Sequence, residues 1–79
     1  MEDNSTLPII GAVYKHYKGG LYLTRGLCSL ESDPSITMVI YQETGGNKGW
    51  NKMWVRPLEE FMETVKDDKG DIVNRFQYQ

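Results

Sequence analysis

Residues 36–42, ITMVIYQ, form a run of β-branched and aromatic side chains, which predicts a β-strand. Residues 31–35 before it contain Asp, Pro and two Ser, and therefore predict a loop. Residues 43–49 after it carry three glycines in seven positions and predict a second loop. A short strand between two turn-rich segments is typical of an antiparallel sheet.

Three more strands are predicted around this one. Residues 9–17 and 21–30 are again rich in β-branched, aromatic and leucine side chains. The segment 18–20, Lys-Gly-Gly, separates them as a turn, because glycine tolerates the positive φ of tight hairpins. Residues 50–56 predict a fourth strand.

Alternation within residues 21–30 predicts which side of that strand is buried. Leu21, Leu23 and Leu27 stand at odd positions and would share a core-facing side. Gly26 in the middle of the strand predicts a β-bulge or a close backbone approach.

The C-terminal third mixes helical and strand signals. Residues 57–60 begin with proline and predict a short helical turn. Alternation over 61–65 predicts a fifth strand, with a helix over 57–66 as the competing interpretation. A turn follows at 67–70, and 72–76 predicts a short edge strand.

These elements predict a mainly β fold. We expect a small SH3-like barrel or a rolled antiparallel sheet, with one short helical turn near 57–60. The alternative is an α+β roll with a helix over 57–66 packed on the sheet. We expect one domain over residues 9–79, preceded by a flexible leader at 1–8.

Composition excludes several classes of protein. With 79 residues, one cysteine and one histidine, the chain has no internal disulfide and too few soft ligands for a typical zinc site. We therefore predict neither a metal nor a cofactor. Hydrophobic residues make up 39% and charged residues 25%, as in globular proteins. Apolar runs are too short to span a membrane, and the acidic start is unlike a secretory signal, so we predict a cytoplasmic protein.

The net charge is −2, but the charges are segregated along the chain. Between Asp3 and Glu31 all the charged residues are basic, and the same is true between Glu43 and Glu59. Acidic residues then gather over 59–71. If the fold joins the two basic stretches, one face of the molecule is positive.

Two sequence blocks carry a family resemblance. They are YKHYKG at residues 14–19 and WVRPL at residues 54–58, with Tyr22, residues 39–41 and Arg75-Phe76 at matching spacings. The chain thereby resembles a family of small bacterial and phage proteins called domain of unknown function 1653, from about Gly11 to Phe76. The segment 43–52 departs from the family pattern. The resemblance implies a compact β domain that often stands alone, with no assigned activity.

The sequence offers little for catalysis. A cysteine nucleophile needs a base, and Cys28 and His16 are the only pair. We expect Cys28 to be buried in its strand as a small apolar residue. The carboxylates of Glu59, Glu60 and Glu63 are typical of a solvated acidic turn. We therefore predict a non-enzymatic protein without catalytic residues.

Alternation places aromatic and basic side chains together on several strand faces. Such a set stacks a planar ring and pairs with phosphate or carboxylate, as a nucleotide-like ligand requires. The structural alternative makes Trp54 a core residue and pairs Arg56 with Glu59 or Glu60. The predicted ligand-binding residues are Tyr14, His16, Lys18, Tyr22, Trp54 and Arg56.

Several partners are compatible with this face. The first expectation is a small anionic nucleotide-like ligand, held by a phage-type protein that sequesters host signalling nucleotides. The alternatives are a protein–protein interaction module using the same face, or weak binding of RNA or single-stranded DNA. Because the chain is short and sheet edges associate readily, a homodimer or higher oligomer is also expected.

Overall fold

The computed structural model describes residues 7–44 and 52–79. These residues form seven strands and one helix of five residues. In chain order they are β1 (Val13–His16), β2 (Leu21–Leu30), β3 (Asp33–Thr44), β4 (Met53–Pro57), α1 (Leu58–Met62), β5 (Thr64–Lys66), β6 (Ile72–Asn74) and β7 (Phe76–Tyr78).

Five of the strands form one antiparallel sheet in the order β4-β3-β2-β1-β7. β5 and β6 form a separate two-stranded sheet. The fold is therefore mainly β with one short helix, as predicted. The five-stranded sheet does not close into a barrel.

Most predicted strands are present with shifted ends. β2 has the predicted bounds, whereas β1 begins only at Val13, after a turn at residues 10–11. β3 begins at Asp33, so the predicted loop over 31–35 shrinks to a two-residue turn. Asp33 pairs with Leu30 of β2, but the register is irregular before Thr37. There the Asp33 carboxylate accepts hydrogen bonds from the Ser35 N–H and hydroxyl at 3.3 and 2.7 Å, so the turn chemistry persists inside the strand. β4 begins at Met53, and the predicted strand residues 50–51 lie outside the described residues, as do leader residues 1–6.

The competing predictions for 57–66 are both partly wrong. Pro57 ends β4, and α1 runs from Leu58 to Met62, so residues 61–62 are helical rather than extended. Burial of Phe61 against the sheet favours one helical turn over the strand alternation. The chain is extended again at Thr64–Lys66. The predicted edge strand at 72–76 divides at residue 75 into β6 and β7, which belong to different sheets.

The β-bulge predicted at Gly26 is present and changes the faces of β2. Thr24 pairs with Tyr41 but Gly26 pairs with Ile40, so Arg25 is the extra residue. Beyond it the alternation is reversed. Leu21 and Leu23 therefore lie on the opposite side from Leu27, and the prediction that these three leucines share the core face is wrong.

The core lies on the side of the sheet that α1 covers. Phe61 from α1 is 1% exposed and stacks on Phe76 of β7, with ring centroids 4.1 Å apart and planes at 7°. Its ring also meets Tyr14 and Tyr41 edge-on at 5.5 and 5.4 Å. Val39 of β3 completes this cluster and is fully buried. Edge-to-face pairs each contribute about 0.5–1.5 kcal/mol beyond the area that they bury.

Candidate functional site

One face of the five-stranded sheet carries nearly all the predicted site residues. The registers align them across the strands: Tyr14 pairs with both Tyr22 and Tyr78, His16 with Phe76, and Tyr41 with Trp54. Directly paired residues point to the same side of a sheet. We call this the aromatic face: Tyr14, His16, Tyr22, Thr24, Val39, Tyr41, Trp54, Arg56, Phe76 and Tyr78.

A cavity of about 200 Å³ opens on the aromatic face, and its lining residues all come from the five-stranded sheet. It includes four of the six predicted ligand-binding residues, each from β1, β2 or β4. We call it the aromatic cavity, and its lining residues are His16, Tyr22, Tyr41, Trp54, Arg56 and Phe76.

The structure places the other two predicted residues elsewhere. Tyr14 is buried in the core, and its hydroxyl accepts a hydrogen bond from the Ile9 backbone N–H at 2.9 Å. Lys18 lies in the turn between β1 and β2, where it lines a different surface hollow with Asp67 and Asp68. Its ammonium group is 5.7 Å from the centre of the Tyr17 ring. Among the described residues, the two basic stretches meet at His16 and Arg56, which line the same cavity.

Arg56 is the charged residue of the aromatic cavity. Its Nε donates a hydrogen bond to the Tyr41 hydroxyl at 3.3 Å, and its Nη1 donates to Glu60 Oε1 at 3.4 Å. Its guanidinium carbon lies 5.9 Å from the centre of the Phe76 ring, within cation–π range. The pairing with Glu60 is one that the sequence suggested. The hydrogen bond to Tyr41 raises the pKa of Arg56, so the positive charge is fixed.

His16 lines the cavity and is held by a backbone hydrogen bond. Its Nδ1 accepts a hydrogen bond from the Lys18 backbone N–H at 3.1 Å, so in the neutral ring the proton is on Nε2. Partial burial lowers the pKa of His16, and the charges of Arg56, Arg75 and Lys18 lower it further. The ring meets Phe76 edge-on at 4.9 Å.

Trp54 and Tyr22 supply the planar surfaces. Trp54 is 44% exposed, so it is not the core residue that the structural alternative expected. The ammonium group of Lys52 lies 5.5 Å from its ring centre. Tyr22 is partly buried and meets Tyr41 and Phe76 edge-on at 5.5 and 5.8 Å. Burial, and then the charge of Glu43, raises the pKa of Tyr22, so its hydroxyl keeps its proton.

Comparison with known proteins gives a family. The model of the family described as a protein of unknown function (DUF1653) matches residues 12–78. The chain belongs to this family. No curated protein and no solved structure matches the chain.

The DUF1653 match confirms the resemblance seen in the sequence. The matched range contains the YKHYKG and WVRPL blocks and also every residue that lines the aromatic cavity. In this DUF1653 protein the first block supplies His16 and the second supplies Trp54 and Arg56. In the sheet β2 and β3 lie between β1 and β4, and side chains of both blocks line one cavity over Tyr22 and Tyr41 of these two middle strands.

Sequence reasoning missed two cavity residues, Tyr41 and Phe76. The sequence predicts a strand at Tyr41 and an edge strand at Phe76, but it does not predict which strands pair with them. Only the pairing of His16 with Phe76 shows that it belongs to the aromatic cavity.

Cys28 is exposed, which corrects the expectation that it is buried. It lies where β2 and β3 extend beyond the end of β1, and no other strand of the described residues flanks β2 there. Cys28 does not line the aromatic cavity. Among residues 7–44 and 52–79, no three His, Cys, Asp or Glu side chains are grouped to hold a metal ion. In the same part of the chain, no helix is long and apolar enough to cross a membrane.

Proposed function

We propose that this protein is a non-enzymatic binding protein for a small ligand that combines a planar ring with an anionic group, as a nucleotide does. The observation that carries the proposal is the position of Arg56. Its charge lies in the aromatic cavity beside the Trp54 ring and the His16 ring. A half-exposed tryptophan next to a cation suits a flat anion better than it suits a purely apolar molecule.

The polar groups of the cavity support an anion rather than a cation. Arg56 and the Nε2–H of His16 are donors, whereas Tyr41 already accepts the hydrogen bond of Arg56 Nε. Charge-assisted hydrogen bonds from guanidinium to phosphate or carboxylate are about twice as strong as neutral ones. The anionic group would therefore bind at Arg56 and His16, and the ring would stack on Trp54 or Tyr22.

The size of the cavity supports a small ligand. Its volume of about 200 Å³ is below the range of about 300–1,000 Å³ that is typical of ligand pockets. A ligand with one ring and one phosphate would fill it and extend over the exposed edge of Trp54. Binding without turnover would suit a protein that withdraws a signalling nucleotide from solution.

The proposal is tested by titrating the protein with phenyl phosphate and adenosine monophosphate. Calorimetry gives the affinity, and the NMR signals of the His16 ring and the Trp54 indole report the place. The variant Arg56→Gln should weaken binding about 10- to 100-fold, which corresponds to about 1.5–3 kcal/mol for a hydrogen bond to a charged group. The melting temperature of the unliganded variant shows whether its fold is intact.

Arg25→Gln is the matched control, because Arg25 is an exposed arginine that does not line the aromatic cavity. It should leave the affinity unchanged. Equal losses in both variants would contradict a specific site, as would millimolar probes that shift neither His16 nor Trp54. Tighter binding of a single-stranded oligonucleotide, falling steeply with salt, would support nucleic-acid binding instead.

A further inference from the structure

Arg56 already has an anionic partner, and this partner lies where a ligand would bind. The Glu60 carboxylate is 3.4 Å from Arg56 Nη1, whereas the Tyr41 hydroxyl takes Nε. The N–H groups that remain for a ligand are those of Nη1 and Nη2, and the Glu60 carboxylate already shares Nη1. A carboxylate and a phosphate compete for the same donors.

The backbone of Glu60 is held by hydrogen bonds, whereas its side chain is free to rotate away from Arg56. The Glu60 carbonyl oxygen accepts a hydrogen bond from Arg75 Nε at 3.0 Å and another from the Glu63 N–H at 3.4 Å. Arg75 is in turn tied to the Glu63 carboxylate at 2.7 Å. The Glu60 side chain itself is 51% exposed, so rotation into water needs no movement of α1.

We propose that Glu60 is an internal competitor of the ligand: its carboxylate occupies Arg56 in the free protein, and the anionic group of the ligand displaces it. This inference rests on the proposed function of the aromatic cavity. It makes Glu60 a residue that sets affinity without touching the bound ligand.

The expected effect is modest, because the pair is exposed. Double-mutant measurements of exposed ion pairs give about 0–1 kcal/mol, which converts to an affinity change of at most about fivefold. Release of the competitor should therefore strengthen binding about two- to fivefold. A stronger effect would need a buried pair, which the exposures of 29% for Arg56 and 51% for Glu60 exclude.

The test compares Glu60→Gln with Glu59→Gln, with phenyl phosphate as the probe. Both residues are acidic and stand in the first turn of α1, so both variants lose the same charge and the same helix-dipole interaction. Within the described residues, Glu59 makes no hydrogen bond or ion pair. Glu60→Gln should bind phenyl phosphate about two- to fivefold more tightly than the wild type, and Glu59→Gln should match the wild type.

A second measurement follows the NMR signal of the Arg56 Nε–H group. In the wild type, adding phenyl phosphate should shift this Arg56 signal. Without any phenyl phosphate, the Glu60→Gln substitution should shift it as well. If phenyl phosphate binds the wild type but the two variants have equal affinities, Glu60 is no competitor. The inference then fails, whereas the proposed function stands. If phenyl phosphate binds none of the three proteins, the proposed function fails and the inference with it.

Discussion

The protonation of His16 is the residue-scale property that follows most directly from the site. Burial and the charges of Arg56, Arg75 and Lys18 lower its pKa below the usual 6.5, because both disfavour the imidazolium form. In the unfolded chain these neighbours are absent. Below pH 6.5 the unfolded state therefore binds more protons than the folded state, and stability falls as the pH falls towards the lowered pKa. Above pH 6.5 this contribution is constant.

We expect an NMR titration of the His16 ring to give a midpoint below 6.5. It is the chain's single histidine, so its signal needs no further assignment. Arg56→Gln should raise the midpoint, because it removes the largest of the charge contributions, whereas Arg25→Gln should not move it. A midpoint at or above 6.5 in the wild type would contradict the environment described for this ring.

At the scale of elements, hydrogen bonds from Thr24 of β2 hold the segment before β1 against the sheet. Its buried hydroxyl donates to the Ile9 carbonyl at 2.6 Å and accepts from the Ala12 N–H at 3.2 Å. Thr24→Val keeps the shape but leaves both backbone groups without this partner, which should cost about 1–3 kcal/mol. Urea denaturation measures the loss. Thr64→Val, at an exposed position of β5, should change stability by less than about 0.5 kcal/mol; equal losses would contradict the role of Thr24.

The elements also show which parts of the fold are readable from sequence. Local composition predicts the strands β2 and β3, and a glycine in mid-strand predicts the bulge at Gly26. The burial of β2 does not follow, because one extra residue at the bulge reverses the alternation. Period-two reasoning puts Leu21 and Leu23 on the core side, where only Leu27 lies, paired with Val39. The predicted boundary between α1 and β5 is wrong for a related reason. The contact of Phe61 with Phe76 is long-range, and it overrides the local alternation that predicts a strand from residue 61.

At the scale of the whole molecule, the candidate site depends on strand order. Alternation within each strand correctly puts His16, Tyr22, Trp54 and Arg56 on particular strand faces, because that rule is local. Sequence cannot place β7 beside β1, so it does not reveal Phe76 as a cavity residue. The prediction for Lys18 is wrong for a different reason, since β1 ends at His16 and Lys18 lies in the turn beyond it. Convergence of the site needs the sheet order β4-β3-β2-β1-β7, which only the structure supplies.

The same long-range packing predicts where the stability of the whole molecule resides. Phe61 is the buried residue of α1, and its ring contacts Tyr14, Tyr41 and Phe76 from three different strands. Removing such a ring costs about 3–5 kcal/mol, and a domain of this size has about 4–12 kcal/mol in total. Phe61→Ala should therefore lower the urea midpoint drastically, and Phe61→Leu should lower it less. Ile72→Ala, at a side chain that is 65% exposed, should leave the midpoint nearly unchanged. A Phe61→Ala protein as stable as Ile72→Ala would show that the sheet folds without its helix.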